Sequence, residues 1–249
     1  MQNLKVCWFS AGVSSFIAGY LSRDTIDQYI YIDIADQHPD SIRFIRDCEK
    51  FLRKSVQIIT SSEYHSVDDA CRGFNFICSP QGARCTMVLK KRVRKQWEDA
   101  HKNFNITYVW GMDVDEKERA FRIEETMPYF CHEFPLIDHR ITKKEAHGIC
   151  KGLGIDIPEM YRIGYDNNNC IGCVKGGKGY WNKIRKDFPD VFEKRAKLER
   201  DIGHSILHDK NGMIFLDELD PDAGRNVKEI MPECGIACEI ILKGEEYND

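Results

Sequence analysis

Residues 4–21, LKVCWFSAGVSSFIAGYL, constrain the fold more than any other stretch. An apolar run of β character from Leu4 to Phe9 breaks off at Ser10-Ala11-Gly12-Val13-Ser14-Ser15. Apolar residues then return at helical spacing in Phe16, Ile17, Tyr20 and Leu21. The pattern predicts a strand, a tight polar turn and a helix start. Such a turn aims backbone N–H groups, hydroxyls and the positive end of a helix dipole at one point, which suits a phosphate or sulfate. The same residues also satisfy a plain serine-capped helix after a strand. Their spacing is neither that of a Walker A loop nor G-x-G-x-x-G.

The cadence continues with strands at 29–34, 56–60 and 106–110 and a helix over 41–54 that Asp40 or Ser41 can cap. Strands separated by crossover helices pair in parallel. The expectation is a doubly wound, mainly parallel α/β domain over residues 1–154, followed by a Cys-rich, partly helical segment over 155–249. Residues 61–83 read as an irregular loop over the C-terminal edge of the sheet. Asp113 or Asp115 can cap a helix running to Thr126, and another helix runs from Thr142 to Gly152 or Gly154. A basic helical stretch to Ile202, a short strand at 213–216 and a turn at 220–225 complete the reading.

The 249 residues carry 36 basic and 40 acidic side chains, for a net charge of −4. This predicts solubility without a global field for nucleic acid or membrane. No apolar run approaches the roughly 18 residues of a membrane span, and Met1 leads straight into a strand, so the chain reads as cytoplasmic. Eleven cysteines, in a reducing compartment, imply thiols, metal or redox chemistry rather than a disulfide framework. Two segments stand out by charge: six of the twelve residues from 84 to 95 are basic and none is acidic, and residues 175–200 are again rich in Lys and Arg. Residues 84–95 suit a phosphosulfate or a nucleic acid, or form a merely basic surface helix, and residues 175–200 suit a nucleic acid.

Cys170-Ile-Gly-Cys173 can ligate one metal or iron–sulfur cluster, or act as a redox pair. Cys234-Gly-Ile-Ala-Cys238 forms a second, wider pair, and convergence of all four would make a structural zinc site.

The loop SAGVSS resembles the PP-loop of adenine-nucleotide α-hydrolase-like proteins, a superfamily that includes the phosphosulfate (PAPS and APS) reductases. Ser14 stands where ATP-cleaving members carry Asp, which sets the loop nearer the reductases. YIDIADQHPDS is similar to the family's second motif, and the resemblance implies that Asp33 lies near the adenosine. Gly111 and Arg119 match a strand-end Gly followed by Glu and Arg, and Pro135-Leu136 matches a PL segment. By this resemblance Ser10, Ala11, Gly12, Val13, Ser14 and Ser15 hold phosphate.

Cys85, just before LKKRVRK, and Cys170 with Cys173 occupy the positions that hold a [4Fe–4S] cluster in the cluster-bearing reductases. The family has two adjacent cysteines where this chain has Cys85-Thr86. The fourth ligand then comes from Cys78, Cys234 or Cys238, or stays open as in PP-loop enzymes of nucleic-acid thiolation. Glu233-Cys234-Gly235-Ile236, after Gly224-Arg225, resembles the reductases' C-terminal motif, with Ala237-Cys238 where the family has His. It implies Cys234 as the nucleophile that attacks the sulfonucleotide's sulfur, Arg225 or Lys228 as its basic company, and a thioredoxin-like reductant as partner. The expected function is a PAPS reductase-like oxidoreductase acting on PAPS, APS or ATP. The alternatives are a nucleic-acid thiolation enzyme and a non-enzymatic nucleotide- or nucleic-acid-binding protein with zinc.

Overall fold

A computed structural model of the chain describes residues 1–79, 81–210 and 212–225. The pair Cys234 and Cys238, together with Lys228, falls outside the described residues.

The central sheet has five parallel strands, β1 (Gln2–Trp8), β2 (Gln28–Ile32), β3 (Val56–Ile59), β4 (Phe104–Val109) and β5 (Cys131–Glu133), in the order β3-β2-β1-β4-β5. Side chains alternate between its faces. Cys7, Tyr29, Tyr31 and Val109 enter one core with α1 (Val13–Leu21), α2 (Asp40–Leu52) and the α-helix Lys143–Gly152. Val6, Ile30, Ile106 and Tyr108 enter the opposite core, with Trp97. Helices therefore cover both faces, as expected of a doubly wound α/β fold. The chain leaves β1 for β2 and β3 on one side and returns to β4 on the other, so the loop after β1 lies at the switch point, where α/β sheets bind ligands.

Residues 61–83 are not the irregular loop expected. Ser66 caps α3 (Val67–Phe74) by accepting from the Asp69 N–H at 3.0 Å, and α3 buries Val67, Ala70 and Cys71. The cap expected on α2 is also absent: Pro39 is the N-cap, and Asp40 instead binds Arg43 and the Glu159 N–H at 2.7 Å. Gly12, not a serine, is the N-cap of α1, and its cap makes no side-chain hydrogen bond. The basic stretch is helical from Arg84 to Ala100 and is interrupted by a π segment at Met87–Lys91 before α4 (Arg92–Ala100). Single π turns mark functional sites often enough to be worth noting. Asp113 caps a 3-10 turn, Val114–Glu116, ahead of α5 (Lys117–Thr126). The helix Lys143–Gly152, α6, opens with a full capping box between Thr142 and Glu145.

Beyond residue 154 come α7 (Lys178–Asp187), α8 (Pro189–Ile202) and the hairpin Leu207–Asp209/Gly212–Ile214. These pack with the earlier part of the chain: Met160, Trp181 and Leu198 share a core with Val67, Cys71 and Leu89. A buried Arg195 fastens α8 inward by pairing with both Asp36 and Asp68. Removing one partner of such a pair costs several kcal/mol, on the order of 3, because a charge is left buried alone. No helix among the described residues is long and apolar enough to cross a membrane.

Candidate functional site

The C-terminal ends of β1, β2 and β4 surround an open cleft of about 610 Å³. Its floor includes Ser10, Gly12, Ser14 and Ser15 of the loop, and its walls carry five cations: Lys90, Lys91, Arg94, Arg119 and Lys143. Phe9, Tyr31 and Trp110 supply aromatic surface.

Local chemistry shapes the loop. Ser15 Oγ accepts from the Ser10 N–H at 3.1 Å and donates to the Gly12 carbonyl at 2.8 Å, which closes a short ring around the turn. Ala11 sits at φ +56°, a left-handed conformation costly for a residue with a Cβ. It is held there from a distance: Asn168 Nδ2 donates to the Ala11 carbonyl at 2.7 Å and to Ser41 Oγ at 3.0 Å. The Tyr161 hydroxyl oxygen faces the N–H groups of Asn168 and Val13, and burial pushes its pKa up to about 12. A Cβ built on Gly12 would come within 3.0 Å of that hydroxyl.

Gly111 is fixed more tightly. A Cβ there would lie 2.4 Å from Ser15 Cα and 2.5 Å from Ser15 N, so only glycine lets β4 approach the start of α1. Its smallness therefore makes room for the loop backbone, on a residue that also lines the cleft.

The cations differ in their company. Arg94 lies 3.1 Å from Glu98, and Arg119 lies 2.6 Å from Glu116. Lys143 donates to Asn167 Oδ1 at 2.9 Å, and burial pushes its pKa down. Lys90 and Lys91 have no ion-pair partner among the described residues, which leaves two charges for a bound anion. Asp113, also on the wall, has its pKa raised by burial. Asp33 sits at the end of β2, its N–H bonded to the Ile59 carbonyl at 2.9 Å and its carboxylate beside the Tyr31 hydroxyl.

The thiols gather next to this cleft. Cys170 pairs in an antiparallel bridge with Gln37, a cleft residue whose amide oxygen accepts from the Tyr31 hydroxyl. The Cys170–Cys173 turn is rigid. The Ile171 N–H donates to the Asp36 carbonyl at 2.8 Å and the Cys173 N–H to the Tyr180 hydroxyl at 2.9 Å, while Gly172 takes φ +67°. Cys85 lies within electrostatic reach of Cys173, Lys175 and Lys90. Burial raises the pKa of Cys85, and pushes Cys170 up to about 12. Cys78, the described candidate for a fourth ligand, reaches the same group but is buried beside the Ile206 carbonyl.

Three soft thiols suit iron or zinc in kind. Among the described residues, however, no three of His, Cys, Asp and Glu stand close enough together to hold one ion. Among the described residues these side chains do not fit a cluster.

Several cleft residues escaped the sequence reading. Tyr161, Asn167 and Asn169 of the lining come from the segment after 154, as does Asn168 behind the loop, and the only local signal was a run of three Asn immediately before Cys170. The Gly224-Arg225 turn docks where Gly179 opens α7: a Cβ on Gly179 would meet the Arg225 carbonyl oxygen at 1.8 Å.

Compared with models of known protein families and with curated proteins, the chain matches none. The likeness to the PP-loop reductases rests on the residues quoted above.

Proposed function

We propose that the cleft binds an adenine nucleotide, with phosphate or sulfate on the Ser10–Ser15 loop, and that cysteine chemistry acts on its sulfur in the manner of PAPS reductases. The observation that carries this reading is one cleft: the serine-rich turn at the switch point lines it together with Lys90 and Lys91, which lack acidic partners among the described residues. The loop and the lysines favour a polyanion, Trp110 and Tyr31 favour a planar base, and adenine in particular comes from the motif resemblance.

In this reading the chain's own groups have separate tasks. Ser14 and Ser15 N–H groups and the serine hydroxyls orient the anion, and Lys90, Lys91 and Arg94 neutralise it. Lys143 and Arg119 add positive charge to the same cleft. Cys234 is the proposed nucleophile, and its thiolate attacks the sulfo sulfur of a bound sulfonucleotide. The S–O bond to the nucleotide phosphate breaks, and a dithiol reductant then supplies two electrons to release sulfite.

Product analysis tests this. Protein purified without oxygen and given PAPS or APS with a dithiol should release sulfite together with the desulfated nucleotide, and Cys234→Ser should not. ATP cleaved to AMP and pyrophosphate, with no sulfite from either sulfonucleotide, would overturn the reductase reading in favour of nucleic-acid thiolation.

A further inference from the structure

A smaller pocket of about 310 Å³ lies against the start of the helical stretch that begins at Arg84. Phe76, Arg84, Met87, Lys91 and Lys175 line it, and among the described residues no acidic one does. Neighbouring cations are paired: Arg92 with Glu63, Lys95 with Asp99, and Lys178 with Asp209 at 3.1 Å. Arg84, Lys91 and Lys175 have no ion pair among the described residues, and Arg84 Nε is buried without a hydrogen-bond partner. The Arg84 guanidinium lies 5.4 Å from the centre of the Phe74 ring and 5.5 Å from that of Phe76, which itself stacks on His204. The result is a flat cationic shelf backed by aromatic rings, with two unpaired lysines around it.

Lys91 also lines the large cleft, so the two cavities share a wall. Cys85 is next to Arg84 in sequence and feels Lys90 of the large cleft as well as Lys175 of the small pocket. A ligand in the small pocket therefore lies near Cys85.

Guanidinium planes and aromatic rings stack on unpaired bases, and lysines neutralise the phosphodiesters that flank them. An acidic protein surface would use the charge but not the shelf. We propose that this pocket seats one nucleotide of a single-stranded nucleic acid beside Cys85. As a binding site it stands apart from the reductase reading of the large cleft.

Fluorescence anisotropy with labelled single-stranded RNA and DNA of about eight nucleotides tests it, at low and moderate salt. The wild-type protein should bind at least one of them saturably. Arg84→Ala should weaken binding by about tenfold or more, equivalent to about 1.4 kcal/mol. Lys175→Glu, at an exposed position, should do the same and flatten the salt dependence. If Arg84→Ala fails to fold, Lys175→Glu decides. Absence of binding to wild type, or unchanged binding by a folded Lys175→Glu, would overturn the proposal. So would equal affinity for a duplex of the same sequence, which would show charge attraction without a stacked base. A thioredoxin-like protein binding in a Lys175-dependent way, with no oligonucleotide binding, would overturn it too. The same variants titrated with ATP and PAPS keep the two sites apart: failure of the large cleft to bind adenine nucleotide would defeat the proposed function, while Arg84-dependent oligonucleotide binding would stand.

Discussion

Asn168 Nδ2 holds the carbonyl of Ala11 at 2.7 Å across 157 positions of sequence. One side chain from beyond residue 154 thus fixes the left-handed residue of the anion loop, and it also binds Ser41 at the start of α2. Asn168→Ala should destabilise the protein by about 1–2 kcal/mol and should weaken adenine-nucleotide binding as well, since the loop loses its brace. Thermal unfolding and calorimetric titration of the variant measure both. Loss of stability with unchanged nucleotide affinity would detach Asn168 from the site.

Gly111→Ala places a Cβ against the backbone of Ser14 and Ser15, the nearest atom 2.4 Å away. Backbone cannot swing aside as a side chain can, so this variant should lose about 2 kcal/mol or more. Gly12→Ala meets only the Tyr161 hydroxyl, at 3.0 Å, and should cost less. Chemical denaturation of the two variants checks the order, and a tolerated Gly111→Ala would show that the β4–α1 approach is looser than described.

Much of this architecture was legible in the sequence. The β-type runs at β1, β2, β3 and β4 and the crossover cadence sufficed for a parallel sheet, and Thr142 marked the start of α6. Helix α3 was hidden by composition: Ser, Gly and Cys gave residues 61–83 the look of a loop, although Ser66 followed by Val67, Ala70, Cys71 and Phe74 carries helical spacing. The three-residue strand β5 is too short for any periodicity to show. The site was half legible. Local patterns exposed the loop and the basic helix, but Tyr161 and Asn168 reach the loop through contacts more than a hundred residues apart in sequence, which no local pattern records.

Two buried groups set opposite limits on stability. Glu199 is fully buried and accepts from the Ile206 and Leu216 N–H groups at 2.5 and 2.6 Å, yet burial raises its pKa to about 7. A carboxyl raised in the folded state adds stability at low pH that is lost as pH rises from about 4.5 through 7. His147, with neither ring nitrogen bonded, is pushed down to about 4 by burial, so its contribution is lost as pH falls from about 6.5 toward 4. Glu199→Gln should abolish the high-pH loss, on the order of 2 kcal/mol. Denaturant titrations of wild type and variant at pH 5, 6, 7 and 8 read this directly, and parallel curves would contradict it.

The cysteines should divide by exposure. Cys131 is exposed and Cys173 and Cys85 are half-buried, whereas Cys7, Cys48 and Cys150 are buried and their pKa values are raised by burial. Mass-spectrometric alkylation should label the first three well before the last three. Saturating adenine nucleotide should slow Cys85 and leave Cys131 unchanged. Equal protection of both would point to a general tightening of the fold instead of occupancy of the cleft.

Isothermal titration with ATP, APS and PAPS, on wild type and on Gly12→Val, tests the central claim most directly. Valine at this position would crowd the Tyr161 hydroxyl and Ser10 Oγ, 3.0 and 3.4 Å from its Cβ, at the mouth of the loop. Binding of at least one of these nucleotides at a single site in wild type, weakened by about tenfold or more in a folded Gly12→Val (about 1.4 kcal/mol), is the expected result. No binding of any of the three by wild type, or the same affinity in the folded variant, would contradict the account.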